Sequence, residues 1–519
     1  MSLTVTQQAW VNDRTARRVL TIELPASGDL DAVYLSTEPF TSNGTLAVTF
    51  QPIIKGEFIL RRAVGGLLLG GGPNETGLGR ITVSDRDNRL ASWTFQDWRD
   101  RPANIRWGDP TWGDLDDHVF IQRAFVDGVE PGDGEKAIIA RPAFEASRFL
   151  LPDARYNSAL GGESEGEPIQ IAWGRIKDAP VQLIDENNLL YGMSGIVDNT
   201  AFLQSITVKD NGVTLTPTTD WTSGNQGTVP KAFTRLDLDN VIGTVTFDSS
   251  SAGGVEADDV LGSILNGLIA IFSVSFTQST STAMASLEIG KLIREPEAVA
   301  DIYDDITLST GHVWFLGGST FIGTPNVNFV QITLPGTPVF TFSERNIRGG
   351  ITSAKVSDAV ESIVIGVRNS WAESGDDAID PALAPKVKRD LQKTHTFQVA
   401  SVNQQKVDDQ EPPRDLEPIE TLLTDSTQAF EEGKRWQKLL SVERRIHSFR
   451  ALAGAGQVQP MDSIQIEHVD LSDYSPLTDE NGEVITDGDF VPLLSGTRAL
   501  VKVLEESFPS GAVQIEAWI

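Results

Sequence analysis

The sequence predicts a mainly β, multidomain protein with α+β segments inserted between its β regions. Three observations carry that expectation. Short runs of Val, Ile, Leu, Thr, Phe and Tyr, cut by Gly, Pro, Asn and Asp, recur along nearly the whole chain. Only three segments show apolar residues at helical spacing. The 519 residues are enough for roughly three or four domains, each with a core of its own.

The first region is built of strands. RRVLTIELP, AVYLST and TLAVTFQP are short β-branched and apolar runs separated by turn formers. VGGLLLGGGPNETGLG, Val64 to Gly79, reads as a glycine-rich connection. No Lys-Ser or Lys-Thr follows its glycines and no helix opens after it, so it lacks the parts of a phosphate loop. GRITVSDRDNRL is a strand running into a turn, GVEPGDG (128–134) a hairpin loop, and EKAIIARPAF the strand after it.

From Gly161 an acidic Gly-rich loop leads into two further strands. Asn211-Gly212, between SITV and VTL, has the residues that accept the positive φ angles of a type I′ hairpin. Glu256 to Ala270 is the first helix, with Val260, Ile264, Leu265, Leu268 and Ile269 as its apolar face. Asp258 and Asp259 lie in its first turn, where the dipole favours anions. REPEAVADIYDDI predicts a second helix, HVWFLG with STFIGT a hairpin, and VESIVIGVRNSW a buried strand.

Asp408 to Pro418, with two consecutive prolines, reads as an exposed connection. An amphipathic helix follows over 422–440, with Leu422, Ala429, Phe430, Trp436, Leu439 and Leu440 inward and Gly433 weakening it by about 1 kcal/mol. Four strands close the chain, in SVERRIHSFRAL, DSIQIEHVD, GTRALVKVLEES and GAVQIEAWI, with an Asn481-Gly482 turn among them. No short fixed repeat indicates a solenoid or propeller.

Composition removes whole classes of chemistry. With no cysteine there is no disulfide, thiolate nucleophile or cysteine-ligated metal. Acidic residues outnumber basic ones 72 to 42, a net charge of −30 that repels phosphate and argues against a sequence-reading nucleic-acid binder. No apolar run reaches the roughly 18 residues of a membrane span, and the alternating start lacks a signal-peptide core. The expectation is a soluble protein assembled in a cytoplasm.

A local catalytic set is missing as well. His118, His312, His395, His447 and His468 form no metal-type pair, and no Gly-x-Ser-x-Gly elbow exposes a serine. Asp116/Asp117 and Asp304/Asp305 are carboxylate pairs of the kind glycosidases use, but among 72 acidic residues adjacent acids are expected by composition. Asp85 to Leu90 begins like a calcium loop, yet Leu90 and Gln96 stand where a glycine and an acid are needed. Its aspartates then serve to shape a turn. No cofactor and no metal site is expected.

What remains is a dense aromatic strip. Trp93, Trp98, Trp107 and Trp112 fall within twenty residues, interleaved with Arg99, Arg101 and Arg106 and with nearly matching aspartates. A charge-balanced strip is weak bait for phosphate, so its indoles are expected to be core and assembly anchors, with Trp436 in the same role. Period two would put Trp93 and Phe95 on one strand face, and PANIRW would form a strand ending at Trp107.

The strip ITVSDRDNRLASWTFQDWRDRPANIRWGDP resembles the N-terminal barrel of bacteriophage tail hub proteins, departing from that pattern where Asp100 stands in place of a glycine before the arginine. The stretches EGEPIQIAWGRIKDAPVQLIDENNLLYGM, SITVKDNGVTLTPTTDW and RLDLDNVIGTVTFDSSSAGG are similar to the middle region of long-tailed phage hub and tail-tip proteins. TLLTDSTQAFEEGKRWQKLL with VQPMDSIQIEHVD resembles the family's helix and its Pro-Gly-Asp strand entry, with Met461 replacing the glycine between Pro460 and Asp462.

The resemblance covers most of the chain in order. It implies a hub-type β-barrel at 1–165, a β-rich middle region at 166–255, an inserted α+β region at 256–389 and a second hub-type barrel at 390–519. It further implies a structural role in the virion tail tip or baseplate, with assembly in the host bacterial cytoplasm. The expected partners are two more copies of the chain in a homotrimer, a distal tail protein, a tape-measure protein and a central fibre or spike. Phage DNA would pass the ring without specific binding, and no membrane anchor is implied. The alternatives are a distal-tail or fibre-base protein with carbohydrate binding, and a β-rich polysaccharide hydrolase.

Overall fold

The computed structural model describes residues 3–13, 15–45, 47–69, 74–142, 145–156, 164–196, 203–226, 232–241, 243–251, 253–272, 277–317, 326–357, 360, 362–372, 379–401, 416–452, 457–468, 471 and 497–519. It is mostly β, with β units at both ends of the chain and α+β material between them. The Asn481-Gly482 turn, the STFIGT half of a hairpin, the start of the acidic loop at Gly161 and most of the 408–418 connection lie outside the described residues.

The N-terminal sheet runs Val33–Ser36, Val19–Leu24, Arg101–Gly108, Val119–Pro131, Glu135–Pro142, Ile81–Ser84 and Ile54–Lys55. Its two edges meet. Ser36 N donates to Gln51 O at 2.8 Å and Gln51 N to Tyr34 O at 2.9 Å, just before the Ile54–Lys55 strand. The first strand thus bonds to the segment leading into the last, which curls the sheet toward closure as a small, nearly closed barrel. The turn at Asp85 forms as its sequence indicates, with Leu90 N donating to the Asp85 carboxylate at 2.8 Å.

The C-terminal sheet is ordered Phe340–Ser343, Ser463–Glu467, Thr497–Phe508, Ala512–Trp518, Arg444–Ala451 and Ile347–Ser357. Its end strands are consecutive in sequence, joined by the turn in which Asn346 N donates to Ser343 O. That short link forces the sheet to curl into a nearly closed barrel. Sheet membership cuts across the expected boundary at 389, because Phe340–Ser343 and Ile347–Ser357 belong with the C-terminal strands. It also reaches back to the other end of the chain. Phe58–Ala63 pairs antiparallel with Thr497–Phe508, matching Phe58 with Phe508 and Ala63 with Val503, and Glu75–Leu78 extends it. Part of the predicted glycine-rich connection is thus a strand.

One apolar core serves both barrels. Leu20, Ile22, Trp98, Ile105, Trp107 and Val126 from the first pack in the same cluster as Phe342, Phe449, Ile464, Leu504 and Ile515 from the second. Between the barrels, the middle β unit holds its own core around Tyr191, Val208, Leu236 and Phe247. Its hairpin turns on Asn211 (φ 49°) and Gly212 (φ 81°), the positive pair that the sequence predicts.

Five helices occur among the described residues: α1 (Val5–Asn12), α2 (Ala257–Phe272), α3 (Val299–Thr310), α4 (Pro385–Leu391) and α5 (Ser426–Leu440). The helices α2, α3 and α5 bury apolar faces in a central core that includes Ile264, Ile302, Trp314, Ile365 and Trp436. Ile269 of α2, expected inside, is exposed, and Phe430 of α5 is only half-buried beneath the Lys434 ammonium. No described helix is long and apolar enough to cross a membrane.

Candidate functional site

The aromatic strip divides into two structures. The first is a clamp inside the N-terminal barrel. Ala91–Phe95 is a 3-10 helix rather than a strand, because Asp85 and Asn88 turn the chain before it. Period two therefore fails: Trp93 is half-buried while the Phe95 ring is 90% exposed. The Trp98 indole packs 4.9 Å from that of Trp93 and donates its N–H to the Trp93 carbonyl at 2.7 Å.

Arg101 lies over Trp98 at 4.7 Å and is 1% exposed. It is not held by a carboxylate, as the balanced count of Arg and Asp in the strip would suggest. Its Nε donates to Pro25 O at 3.0 Å and its Nη2 to Leu24 O at 2.9 Å, with Asp31 O as a third acceptor. A guanidinium can saturate three carbonyls of one turn because its donors fan out in a plane. Burial lowers its pKa, without threatening a group that stays charged. Arg99 points to solvent, and its backbone N–H bonds to Asp97.

The residue before Arg101 is Asp100, at φ 62°. Met461, ahead of the Ser463–Glu467 strand, is at φ 69°. Both are left-handed, the conformation glycine supplies at no steric cost. These are the two positions at which the chain departs from the hub pattern by lacking a glycine. Asp100 and Met461 therefore hold, without a glycine, a backbone conformation that glycine adopts freely.

The second structure is a seam between the barrels. Trp107 is 1% exposed and donates its indole N–H to Pro509 O at 3.1 Å, in the turn after Thr497–Phe508. Phe508 meets Trp107 edge-on at 5.1 Å, and Trp10 of α1 does so at 4.6 Å. Half-buried Trp112 lies 5.0 Å from Trp10. Arg18 spans the group, with its guanidinium near the Trp10 and Trp107 rings and Nη1 donating to Ser510 O at 2.9 Å. Gly511 (φ 71°) is required here, since a Cβ would lie 2.9 Å from the Trp107 ring.

Beyond the aromatics, Arg62 Nη1 meets Glu506 Oε2 at 3.1 Å, with both side chains almost fully buried across the strand pairing that joins the barrels. Reading the sequence missed Arg62, Glu506, Trp10, Arg18 and Phe508. One signal was present: FILRRA alternates, and its inward register puts Arg62 in line with Phe58 and Leu60. A cation on an apolar stripe implies a distant partner.

His118 sits beside the seam, 4.5 Å from the Phe40 ring and 3.5 Å from Thr21 Oγ1. Burial, and then the charge of Arg106, lower its pKa to about 4, so it is neutral at pH 7. Trp436 lies elsewhere, fully buried in the central core, where its N–H meets Glu432 Oε2 at 3.2 Å. No group of His, Asp and Glu able to hold a metal ion occurs among the described residues.

No family model matches the chain, and no curated protein does. Among solved structures it is similar to the 43 kDa tail protein of prophage MuSo2 from Shewanella oneidensis, at 8% identity and a TM-score of 0.40, over 96% of this chain and 98% of that one. It is similar to a chain in the virion of a native gene transfer agent particle, at 11% identity and a TM-score of 0.43, over 69% and 85%. A third is an Escherichia coli component of the type VI secretion system described as resembling T4 bacteriophage tail proteins, at 8% identity and a TM-score of 0.33, over 89% and 75%.

Proposed function

We propose that this chain is a structural component of a phage tail tip or baseplate, a hub whose role is architectural rather than catalytic. Three copies, each contributing two β barrels, form a pseudo-sixfold ring that joins a sixfold tail tube to a threefold fibre or spike. A distal tail protein and a tape-measure protein are its neighbours on the tube side. The observation that carries this reading is the pair of barrels at the two ends of one chain, sharing one core. In both, a left-handed residue stands where the hub pattern has glycine.

The electrostatics suit a conduit. A surface with net charge −30 repels a polyanion at short range and gives it nothing to bind, so a genome can move past without sticking. On this reading the indoles of the strip hold the subunit together, and its exposed members Phe95 and Arg99 face neighbours.

Sedimentation and native mass measurement test the reading. The expected species has three times the 56.3 kDa chain mass, alone or once a tail partner is added. A hexamer would instead indicate a distal-tail ring component. A monomer that stays monomeric with every tail partner would end the proposal.

A further inference from the structure

The two barrels share one strand register. Asp100 N donates to Val126 O at 2.9 Å, and Met461 N donates to Val501 O at 2.7 Å. Counting from those matched bonds, Pro102 opposite Phe125 corresponds to Ser463 opposite Leu500, and Asn104 opposite Arg123 to Gln465 opposite Arg498. A bulge follows at the same place in each, between Val126 and Gly128 in the first barrel and between Val501 and Val503 in the second. Beyond it, Val129 opposite Ile138 corresponds to Leu504 opposite Ile515. The match reaches the last strands, where Ile54 opposite Val83 corresponds to Ile347 opposite Ala451. Gly56 (φ 74°) and Gly349 (φ 78°) then turn the chain alike.

Past these glycines the barrels differ in what they meet. After Gly56, Phe58–Ala63 crosses to the second barrel and pairs antiparallel with Val503–Phe508, with Ala63 opposite Val503 and Arg62 opposite Leu504. It takes the edge of Thr497–Phe508 that Ser463–Glu467 does not cover. The matching edge of the first barrel is Gly128–Pro131, past Val126, where pairing with Arg101–Gly108 ends. The segment matching Phe58–Ala63 is 351–356, within the Ile347–Ser357 strand that ends its sheet. Neither edge has a strand beside it among the described residues, and Thr352 to Lys355, Glu130 and Pro131 are exposed. The first barrel thus gives a strand to the second, while the second has no third barrel in the chain to give one to.

The two edges also differ in charge. Residues 347–357 carry Arg348 and Lys355 and no acid, while residues 127–134 carry Asp127, Glu130 and Asp133 and no cation. Opposite signs favour docking of one edge on the other over pairing of either with itself.

We propose that these edges join copies of this chain head to tail. Residues 351–356 of one copy pair antiparallel with Gly128–Pro131 of the next, with Val356 opposite Gly128, Lys355 opposite Val129 and Ala354 opposite Glu130. The joint rests on the hub reading and supplies the contact that builds its ring. It uses a different patch on each partner, so successive copies close into a ring when the rotation between them allows. It is weaker than the joint inside one chain. Lys355 and Pro131 stand where that joint has the buried Arg62 and Glu506 pair, and Pro131 has no N–H with which to extend the ladder. Lysine and proline also blunt an open edge, which keeps unassembled copies apart.

Disulfide capture tests the joint, because the chain has no cysteine of its own. Facing cysteines on paired strands lie within reach of a bond. Lys355→Cys and Val129→Cys are prepared as separate full-length chains, mixed at on the order of 0.1 mM and oxidised. The expected result is a covalent dimer in the mixture, and none from either variant alone or from Lys355→Cys mixed with Thr214→Cys, an exposed site on the middle unit. Lys355→Glu gives up only an exposed pair with Glu443 and should weaken self-association about tenfold, with recovery when Glu130→Lys is added. The proposal is overturned if the mixture yields no more dimer than its controls, or if Lys355→Glu associates as the natural chain does. Trimers seen by native mass without the disulfide would sink this joint and leave the hub reading standing. A chain that stays monomeric with every tail partner would sink both.

Discussion

The clamp and the seam use the same two residue types for opposite tasks. In the clamp, Arg101 and Trp98 tie residues 93–101 to the turn at 24–31, all within one barrel. In the seam, Trp107 and Arg18 reach Pro509 and Ser510 at the far end of the chain. Local contacts of the first kind cost little loop entropy, whereas those of the second kind close a loop of nearly the whole protein. The seam can therefore exist only because many contacts form together: a shared core, an antiparallel strand pair and a buried ion pair. Its members should be more strongly coupled than those of the clamp.

Breaking the seam should have the largest effect. Trp107→Ala is expected to cost about 3–5 kcal/mol, read as a lowered urea midpoint, and to split unfolding of the two barrels into separate transitions. A single unchanged transition would show that the barrels are not joined through this ring. Next comes the ion pair. Glu506→Ala strands the buried Arg62 cation and should cost about 3–5 kcal/mol, whereas replacing both residues by Leu and Met should cost much less. Equal losses in the two variants would mean that packing, not charge, holds that position.

The third prediction uses pH. His118 titrates at about 4 in the folded chain against 6.5 unfolded, so the unfolded state takes up the proton first as acid is added. The stabilisation is complete above about pH 6.5 and is lost as pH falls through 4. His118→Gln should flatten that part of the stability profile in denaturant titrations, leaving the contribution of His312, which is lowered in the same direction. The smallest effect is expected in the clamp. Asp100→Gly relieves a left-handed residue and should stabilise by about 0.5 kcal/mol net of glycine's entropy, while Asp100→Val should destabilise by about 1–2 kcal/mol. Matching signs in thermal melts would contradict the strain.

Much of the local structure was legible. The Asn211-Gly212 hairpin, α2 with its acidic first turn, α5 and the four closing strands all follow from period and turn chemistry. The strip's arginines were visible, but their partners were not. Arg101 chooses carbonyls over nearby aspartates because the barrel buries it against the 24–31 turn. Phe95 departs from its expected face because Asp85 and Asn88 reverse the chain first.

By itself the sequence determined what is short-range: strand and helix periods, turns that need positive φ, an acidic surface and a chain without thiol chemistry. Only the tertiary structure decided which strands are neighbours. Alternation places Phe58, Leu60 and Arg62 on one face but cannot say that this face belongs to the C-terminal barrel, more than 430 residues away. Strand pairing is set by hydrogen bonds that any extended segment can offer, so the choice among partners falls to the core they bury together.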